Sequence, residues 1–468
     1  MSPQERRAVR IIPYIVGCAL FMQMLDSTVV ATALPTMAQS LDTSVIRMNI
    51  IITSYLLAVA VFVPVSGWAA DRFGARKVFL AAILLFTVSS VACALSQSLP
   101  QLVLARIVQG MAGAMMVPVG RIILLRRVPK DQLLGAMAVL TLPALMGPII
   151  GPPVGGFLVT YATWHWIFLI NVPVGALGIL LVLKYIREDY PTERTPLDWL
   201  GFILSAVCLA ALVTSFENAG HGTLSWPTLG WLTLAGILAG LWYIWHARRA
   251  AYPIIDLSLL RTKTFAISVL GGNLCRFSLG ASPFLLAILL QTSFGMSALA
   301  AGLITFTGAI GALVMKLAAP PIIRRYGFRR VLIANAWLTG FFIALCALFQ
   351  ASTPLWLMAA VLTAGGFFRS LQFTAVNALT YADLDSQAMS RASSFAAMAQ
   401  QLAISLGVAC AAVTLNISMA LRASDTLTTQ DVMWAFLVLG VITAASSVSF
   451  ARLSSNDGQA LQEKQARR

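Results

Sequence analysis

The chain has 468 residues, of which 59% are hydrophobic and 10% are charged, and its mean hydropathy is +0.84. A soluble domain of this size cannot bury so much apolar surface, so the composition excludes a soluble globular protein and predicts that a lipid bilayer surrounds the chain. The net charge of +15 would indicate nucleic-acid binding in a soluble protein. Here the Lys and Arg residues fall in short loops, where they indicate membrane topology, and we expect no nucleic-acid partner.

Apolar runs of roughly 17–25 residues predict transmembrane helices. We count fourteen such runs, joined by short connections without an inserted soluble domain. The predicted spans are 11–34, 48–70, 78–96, 100–124, 133–160, 165–186, 198–216, 228–247, 265–290, 297–320, 331–350, 354–380, 393–420 and 431–452. The predicted class is an all-α integral membrane protein.

The positions of the basic residues predict the orientation of these spans. One alternating set of loops is rich in Lys and Arg, whereas the other set holds only Arg47 and Arg422. By the positive-inside rule both termini are cytoplasmic, which requires an even number of spans, and fourteen satisfies this condition. We expect a multi-pass protein of the bacterial inner membrane.

A charged loop occurs twice in the sequence. Gly67–Lys77 follows the second predicted span, and a modified copy, Pro320–Arg330, follows the tenth, with Asp71 and Arg324 in matching positions 253 residues apart. A repeat of six helices would be shorter than this spacing, and the excess corresponds to the length of about two more helices. The sequence therefore predicts two six-helix bundles with two inserted central helices. The predicted divisions are 1–190, 191–250, 251–455 and a cytoplasmic tail at 456–468. In parallel halves of this kind the substrate site lies near the middle of the bilayer, between the halves.

Asp26 is the only carboxylate well inside a predicted span. A carboxyl group in a low dielectric favours its neutral form, so modest changes in hydration or in a nearby cation can switch its protonation. Asp26 is therefore a candidate proton carrier. The alternative is that it is a fixed partner for one of the buried arginines.

Arg106 lies in the fourth span and shares a helix face with Gln109 and Gly110. A buried guanidinium among small residues requires a hydrogen-bond acceptor. Arg106 either couples to Asp26 or is a structural hydrogen-bonding centre. Lys316 and Arg121 lie close enough to the cytoplasm for their long side chains to reach water.

The fifth span contains an unusual concentration of glycine and proline between residues 147 and 156. These residues break helical hydrogen bonds and remove side chains, which favours a hinge or, alternatively, simple close packing on a neighbour such as the Gly308/Gly311 face of the tenth span. The motif residues are Gly147, Gly151, Pro152, Gly155 and Gly156.

Polar residues of the twelfth span, Arg369, Gln372, Asn377 and Thr380, fall roughly on one face. They could line a cavity or join neighbouring helices. With polar residues of other spans they form our set of candidate substrate-binding residues: Gln23, Asp26, Gln109, Asn273, Arg276, Arg369, Gln372, Asn377 and Gln401.

Cofactor and enzyme chemistry have no support in the sequence. The six cysteines fall inside apolar spans without metal-ligand spacing. The sequence contains no nucleotide-binding P-loop, nucleophile, acid pair or metal cluster, so we expect no metal, no cofactor and no enzymatic activity.

Five motifs, in chain order, resemble those of the major facilitator superfamily, and specifically its fourteen-helix drug:H+ antiporters of the EmrB/QacA type. The first loop differs from the family signature by Ala69 in place of leucine and Ala75 in place of a base. Gly113–Val119 and Trp164–Pro173 are most similar to the MdtD/HsrA-like branch. The other matching motifs are the Asp26 segment in the first helix, Arg106-xx-Gln109-Gly110 in the fourth and the glycine motif of the fifth. In the first loop the residues that match the family signature are Gly67, Asp71, Arg72, Gly74, Arg76 and Lys77.

The resemblance implies alternating access driven by proton entry, with Asp26 and Arg106 in proton coupling and the Asp71 loop in the cytoplasmic gate. We therefore expect a monomeric, proton-coupled exporter of small organic compounds that needs no cofactor besides the proton gradient. One buried acid against three buried bases suits anionic or neutral substrates better than dications. The alternatives are a dedicated exporter of an anionic metabolite or sugar, and a membrane sensor that has lost transport.

Overall fold

Helices make up the fold in this computed structural model, which describes residues 3–43, 48, 50–187, 195–221, 224–296, 298–385, 388–423, 427–454 and 457–458. Most of the predicted tail, 456–468, and the loop residue Arg47 lie outside these ranges. A helix in two parts keeps one label below. The helices are α1 (Pro3–Ser40), α2 (Ile50–Phe62 and Val65–Phe73), α3 (Ala75–Ala94), α4 (Leu99–Arg127), α5 (Lys130–Tyr161), α6 (Trp166–Leu169 and Asn171–Tyr185), α7 (Trp199–His221), α8 (Trp226–Ala247), α9 (Lys263–Ala287), α10 (Ala298–Tyr326), α11 (Phe328–Leu345), α12 (Leu355–Leu379), α13 (Met389–Leu421) and α14 (Thr429–Ala451).

The helices have the length and hydropathy of a membrane protein. Within the described residues eleven are long and apolar enough to cross a membrane, and the two parts of α2 together would make a twelfth. An apolar helix satisfies its own backbone hydrogen bonds, which a bilayer requires. The all-helical membrane class is confirmed. The predicted count of fourteen transmembrane helices is not confirmed, because α5 and α12 are not among the helices that are both long enough and apolar enough to cross a membrane.

Two helices are irregular near proline residues. The two parts of α2 meet at Pro64 and are bent by 58°, because proline lacks the N–H that the next helical hydrogen bond would use. Helix α9 contains Pro283 and continues beyond Ala287 as a π-helical turn, Ile288–Ser293. Irregular backbone of this kind is tolerated in a membrane where protein surrounds it.

The two halves, α1–α6 and α9–α14, repeat the same packing. Contacts of α1 with α5, α2 with α4 and α3 with α6 are matched by α9 with α13, α10 with α12 and α11 with α14. Gly74 and Gly327, 253 residues apart, both have positive φ values, of 90° and 77°, between paired helices. A conformation that favours glycine thus recurs in the same place in both copies of the loop.

Helix α7, which follows the first half, lies against both halves. It contacts α2 and α13 as well as its hairpin partner α8. Leu209 and Val213 of α7 form an apolar cluster with Ala60 of α2, against which Met398 and Leu402 of α13 pack. The extra helix therefore separates part of α2 from part of α13.

Candidate functional site

Asp26 is completely buried inside the N-terminal half and is surrounded by donors. Arg106 Nη1 lies 2.6 Å from Asp26 Oδ2. The side-chain amides of Gln109 and Asn171 donate to Asp26 Oδ1 at 3.0 and 3.1 Å. Three donors thus satisfy the oxygens of one carboxylate, and the adjacent guanidinium offsets its charge in a low-dielectric interior.

Arg106 is held by further contacts. Its Nη1 also donates to Gln109 Oε1 at 2.6 Å, and its Nε donates to the Ile51 carbonyl at 3.2 Å. The guanidinium carbon lies 4.3 Å from the centre of the Tyr55 ring and 5.8 Å from that of Phe168. These cation–π contacts, together with the hydrogen bonds, fix the orientation of the guanidinium.

Three of the predicted residues, Asp26, Arg106 and Gln109, thus form one network. Asn171 completes it and was missed, although an amide between Ile170 and Val172 in an apolar segment is a detectable signal. Ser90 and Tyr55 were also missed; Ser90 accepts hydrogen bonds from Gln109 and Asn171 at 2.9 and 3.3 Å. Hydroxyl groups of this kind are too common in membrane helices to be selected from sequence.

Gln23 lies beside this network. A Cβ atom added at Gly113 would lie 3.0 Å from the Tyr55 hydroxyl and 3.6 Å from Gln23 Nε2. Among the described residues Gln23 Oε1 has no hydrogen-bond partner, although the residue is buried. Gln23 therefore has a free acceptor near Tyr55.

Asp71 connects the two halves at the end of the molecule that carries the charged loop. Its Oδ1 lies 2.6 Å from Arg126 Nη2, within the N-terminal half. The Ser390 hydroxyl of α13 lies 2.7 and 2.6 Å from Asp71 Oδ1 and Oδ2, and 3.3 Å from Arg126 Nη2. The carboxylate therefore contacts a base of its own half and a hydroxyl group of the other.

Close backbone approach accompanies this ion pair. A Cβ atom at Gly67 would lie 2.6 Å from Ser394 Oγ and 2.7 Å from the Ser390 carbonyl oxygen, so only glycine fits against α13 without a shift. The neighbouring Ser66 hydroxyl lies 2.9 Å from that of Ser394. The first loop and α13 are therefore in direct contact.

The other residues predicted for the gate do not join this contact. Gly74 ends α2 with a positive φ, and Arg76 donates to the Leu183 carbonyl oxygen at 3.1 Å. Arg72 is half-buried and Lys77 is exposed. These residues shape the loop, whereas Gly67 and Asp71 contact the second half.

Two more hydrogen bonds join the halves at this end. Arg121 Nη1 donates to the Tyr381 hydroxyl at 3.1 Å, and the Ser393 hydroxyl donates to the Pro118 carbonyl oxygen at 3.1 Å. The expectation that Arg121 and Lys316 extend to water is wrong, because both are buried. Tyr381 and Thr374, respectively, accept hydrogen bonds from them inside the protein.

The glycine motif of α5 packs on α1. Added Cβ atoms at Gly147 and Gly151 would overlap Met24 and Thr28 of α1, so close packing explains these two residues. Helix α5 also contacts α10, but Gly308 and Gly311 do not pack on Gly147 and Gly151, because added Cβ atoms at Gly308 and Gly311 would meet the Leu362 and Thr363 carbonyl oxygens of α12. Gly155 is buried, Gly156 is exposed with no atom within 4 Å of an added Cβ, and the side chain of Pro152 lies outside the description.

A second polar cluster lies in the C-terminal half. Arg276 Nη2 donates to Asn377 Oδ1 at 2.9 Å, and its Nη1 donates to Asn273 Oδ1 at 3.2 Å. Lys316 Nζ donates to Thr374 at 2.8 Å. The two cations lie 5.6 and 5.5 Å from the centre of the Phe373 ring. Neither has a carboxylate partner among the described residues.

The remaining predicted residues have different environments. Gln372 Oε1 accepts a hydrogen bond from Asn335 at 2.8 Å, so this part of the α12 stripe joins helices. Arg369 and Gln372 also line a small cavity beside Arg276. Gln401 is half-buried on α13 and belongs to neither polar cluster. Apart from Gln401, the predicted substrate residues thus fall into two separate groups, one in each half.

Metal ligation has no arrangement to support it in the described part of the chain. No group of three or more His, Cys, Asp or Glu side chains lies close enough there to hold an ion. All six cysteines are free thiols. The polar side chains of the site are therefore arranged for ion pairing and hydrogen bonding.

A duplicated bundle of apolar helices, with an enclosed acid–base pair in one half and a charged contact between the halves, defines a membrane transporter built from two repeats. The model of the Major Facilitator Superfamily matches residues 16–254 and 268–467. The chain belongs to this superfamily. It is therefore a membrane transporter and not an enzyme, as the sequence predicts.

Bacterial relatives match nearly the whole chain. A protein of Pectobacterium atrosepticum, named putative multidrug resistance protein MdtD, is 40% identical over 444 residues, covering 94% of this chain and 95% of the relative. Proteins of the same name from Salmonella paratyphi A and Cronobacter sakazakii are 40% and 39% identical. They cover 95% and 94% of this chain, and equal shares of their own lengths. The resemblance to the MdtD-like branch is confirmed.

Solved structures of low sequence identity share the fold. The proton:xylose symporter XylE, bound to 6-bromo-6-deoxy-D-glucose, superposes with a TM-score of 0.65 at 15% identity, covering 98% of this chain and 100% of that structure. The human organic anion transporter MFSD10 gives a TM-score of 0.64 at 17% identity, covering 96% and 100%. At these identities the likeness concerns the fold alone.

Proposed function

We propose that this protein is a proton-coupled secondary active transporter that exports small organic compounds by alternating access, with H+ antiport. The observation that carries the proposal is the buried Asp26–Arg106 pair, with Gln109 and Asn171 on the same carboxylate. The printed name of its relatives, multidrug resistance protein, supports efflux of foreign compounds as the direction and purpose of transport.

Protonation of Asp26 would remove the charge that holds Arg106. The neutral acid gives up most of its attraction for the guanidinium, and Arg106 would then depend on Gln109, the Ile51 carbonyl and the Tyr55 ring. Because Asp26 is completely buried in this conformation, proton exchange requires the halves to move. Proton binding and the conformational change are thereby coupled.

The Asp71 end is the cytoplasmic side in this proposal. The alternation of basic loops supports fourteen spans, cytoplasmic termini and a place in the bacterial inner membrane. The packing of α1–α6 and α9–α14 supports the predicted bundles with α7 and α8 between them. Hydrogen bonds from α13 to Asp71 and to the Pro118 carbonyl oxygen hold the cytoplasmic side closed.

A dedicated exporter of an anionic metabolite is the second candidate. Arg276, Lys316 and Arg369 lie in the C-terminal half, where the helices α9–α14 contain a single acid, Asp431, bound to Arg422. Buried cations without a carboxylate favour an anionic ligand. A sensor without transport has less support, because every residue of the Asp26 network is in place.

Proteoliposomes with an imposed pH gradient test the proposal. Ethidium and fluorescein serve as cationic and anionic probes, and proton flux is followed with a pH-sensitive dye. Asp26→Asn should abolish proton-driven transport of either probe and leave the protein folded. The matched control is Asp42→Asn, since Asp42 is an exposed acid with positive φ, which asparagine tolerates. Uphill transport by Asp26→Asn at the normal rate would show that Asp26 does not carry the proton.

A further inference from the structure

The duplicated fold allows the Asp26 site to be mapped onto the second half. Gly74 and Gly327 fix an offset of 253 residues for the second and third helices of each half. In the fourth helices, a Cβ at Gly110 would contact the Tyr55 carbonyl oxygen, and a Cβ at Gly366 would contact the Gly308 carbonyl oxygen. Gly308 lies 253 residues after Tyr55, so these two residues match. Their contact partners Gly366 and Gly110 therefore match as well, which gives an offset of 256 residues for the fourth helices.

A cavity of about 50 Å3 occupies the mapped position. Its lining comes from the first, second, third, fourth and sixth helices of the C-terminal half, the same five helices that supply the Asp26 network in the first half. Ser282 of α9 lines it where α1 supplies Asp26 in the first half. The matched pairs are Tyr55 with Gly308, Ser90 with Ile343, Cys93 with Cys346, Arg106 with Leu362 and Gln109 with Gly365.

The cavity exists because large polar side chains have been replaced. Gly308 has no side chain where Tyr55 places a buried ring, and Leu362 replaces the guanidinium of Arg106. The space is large enough for a few water molecules or one small polar group, but not for a drug-sized molecule. The second half thus has room for a ligand group where the first half is filled.

Arg369 extends into this space from the position that matches Gly113. Its Nη2 would lie 3.8 Å from a Cβ atom on Gly308, and the residue lines the cavity. Arg369 is half-buried, and among the described residues no side chain or carbonyl group accepts a hydrogen bond from its guanidinium. A guanidinium remains charged in a protein, and an unpaired charge inside a membrane is costly.

A second cavity, of about 20 Å3, adjoins the first at Arg369. Arg276 also lines it, and its Nε has no hydrogen-bond partner among the described residues. Arg276 is close enough to Arg121 of the first half to interact electrostatically, which places it near the boundary between the halves. The two cavities therefore share Arg369, and Arg276 lies in the smaller one, on the side nearer to that boundary.

We propose that these adjoining cavities bind the carboxylate group of a small organic anion, with Arg369 as the direct donor and Arg276 along its entry. The proposal deepens the second candidate function and rests on it. Two guanidiniums with unused N–H groups match a carboxylate in charge and geometry. The rest of the ligand remains outside the cavities, because their volume admits only the head group.

Ligand binding to the purified, full-length protein tests the site without transport. Intrinsic tryptophan fluorescence is titrated with sodium propionate, with its neutral analogue propionamide, and with sodium chloride at the same ionic strength. Propionate should bind, and the other two should not. Arg369→Gln should raise the apparent Kd for propionate about tenfold, since a hydrogen bond to a charged group is lost. The control is Arg330→Gln, because Arg330 is exposed.

Filling the cavity provides a variant that leaves both arginines in place. A Cβ atom at Gly308 would lie 3.2 Å from the Leu362 carbonyl oxygen and would narrow the space beside Arg369. Gly308→Ala should weaken propionate binding, whereas Gly302→Ala, on the same helix with no atom within 4 Å of an added Cβ, should not. The comparison of Gly308→Ala with Gly302→Ala tests the site even if Arg369→Gln fails to fold.

Unchanged propionate binding in both Arg369→Gln and Gly308→Ala would overturn the site, as would equal binding of propionamide or chloride. Proton-driven transport of ethidium and fluorescein is measured on the same preparations. Propionate binding that depends on Arg369, in a protein with no transport of either probe, would count against the proposed function and leave the carboxylate site standing.

Discussion

Replacing Ser390 with alanine should weaken the contact that closes the Asp71 end. The hydroxyl lies 2.7 and 2.6 Å from the two carboxylate oxygens and has one proton, so it donates one hydrogen bond to a charged acceptor. Such a bond contributes about 1.5–3 kcal/mol. The Asp71 and Arg126 side chains are 12% and 14% exposed, so water replaces part of the loss and the lower value applies. The ratio of open to closed protein should therefore rise about tenfold.

Distances between spin labels on the two copies of the loop measure this ratio. Lys77 and Arg330 are exposed, lie 253 residues apart and occupy matching positions, so cysteines at both sites report the separation of the halves once the six native cysteines are replaced. Ser390→Ala should increase the population of the longer distance. The control is Ser405→Ala on the same helix, because the buried Ser405 hydroxyl has no partner among the described residues. Identical distance distributions for the two variants would refute the assignment of Ser390 to the gate.

Three further substitutions have defined outcomes. Gly67→Ala should increase the distance between the spin labels at the Asp71 end, because the added Cβ would press on the Ser390 carbonyl oxygen. The control is Gly135→Ala, because an added Cβ at Gly135 has no atom within 4 Å. Equal label distances in the two variants would contradict the close approach of Gly67 to α13. Tyr55→Phe should preserve the thermal stability of the purified protein, whereas Tyr55→Leu should lower it, because the aromatic ring over Arg106 contributes about 1–2 kcal/mol to the stability of the folded protein. Equal melting temperatures for the two variants would exclude that contribution. Gly151→Ala should lower the melting temperature by overlap with Thr28. A second change, Thr28→Ala, should restore part of the loss, because it removes the overlapping hydroxyl but keeps the Thr28 Cβ, which lies 2.8 Å from the added atom; no recovery at all would place the strain elsewhere.

The sequence predicts the Asp26 network well because membrane interiors allow few arrangements of charge. A single buried acid and a buried arginine on neighbouring apolar helices have little choice but to pair, and Gln109 is three residues from Arg106 on the same helix. The helical class follows equally directly, because unpaired backbone groups are excluded from lipid.

Contacts between distant parts of the chain could not be predicted in this way. Ser390 is 319 residues from Asp71, and a serine in an apolar helix carries no signal that marks it as a partner. The cavity in the second half depends on the absence of a side chain at Gly308, which has meaning only after the two halves are aligned in space. The glycines of α5 were ambiguous for the same reason, since only packing identifies α1 as their neighbour.

The placement of α7 has a mechanical consequence. A helix that touches both α2 and α13 cannot keep both contacts unchanged while the two halves rotate against each other. Its contacts include Leu209 and Val213 against Ala60, Met398 and Leu402, and the Phe202 ring 5.8 Å from that of Phe62. All of these side chains are apolar, so displacement there exchanges one set of dispersion contacts for another. At these apolar contacts helix α7 can therefore shift along α2 and α13 with little resistance.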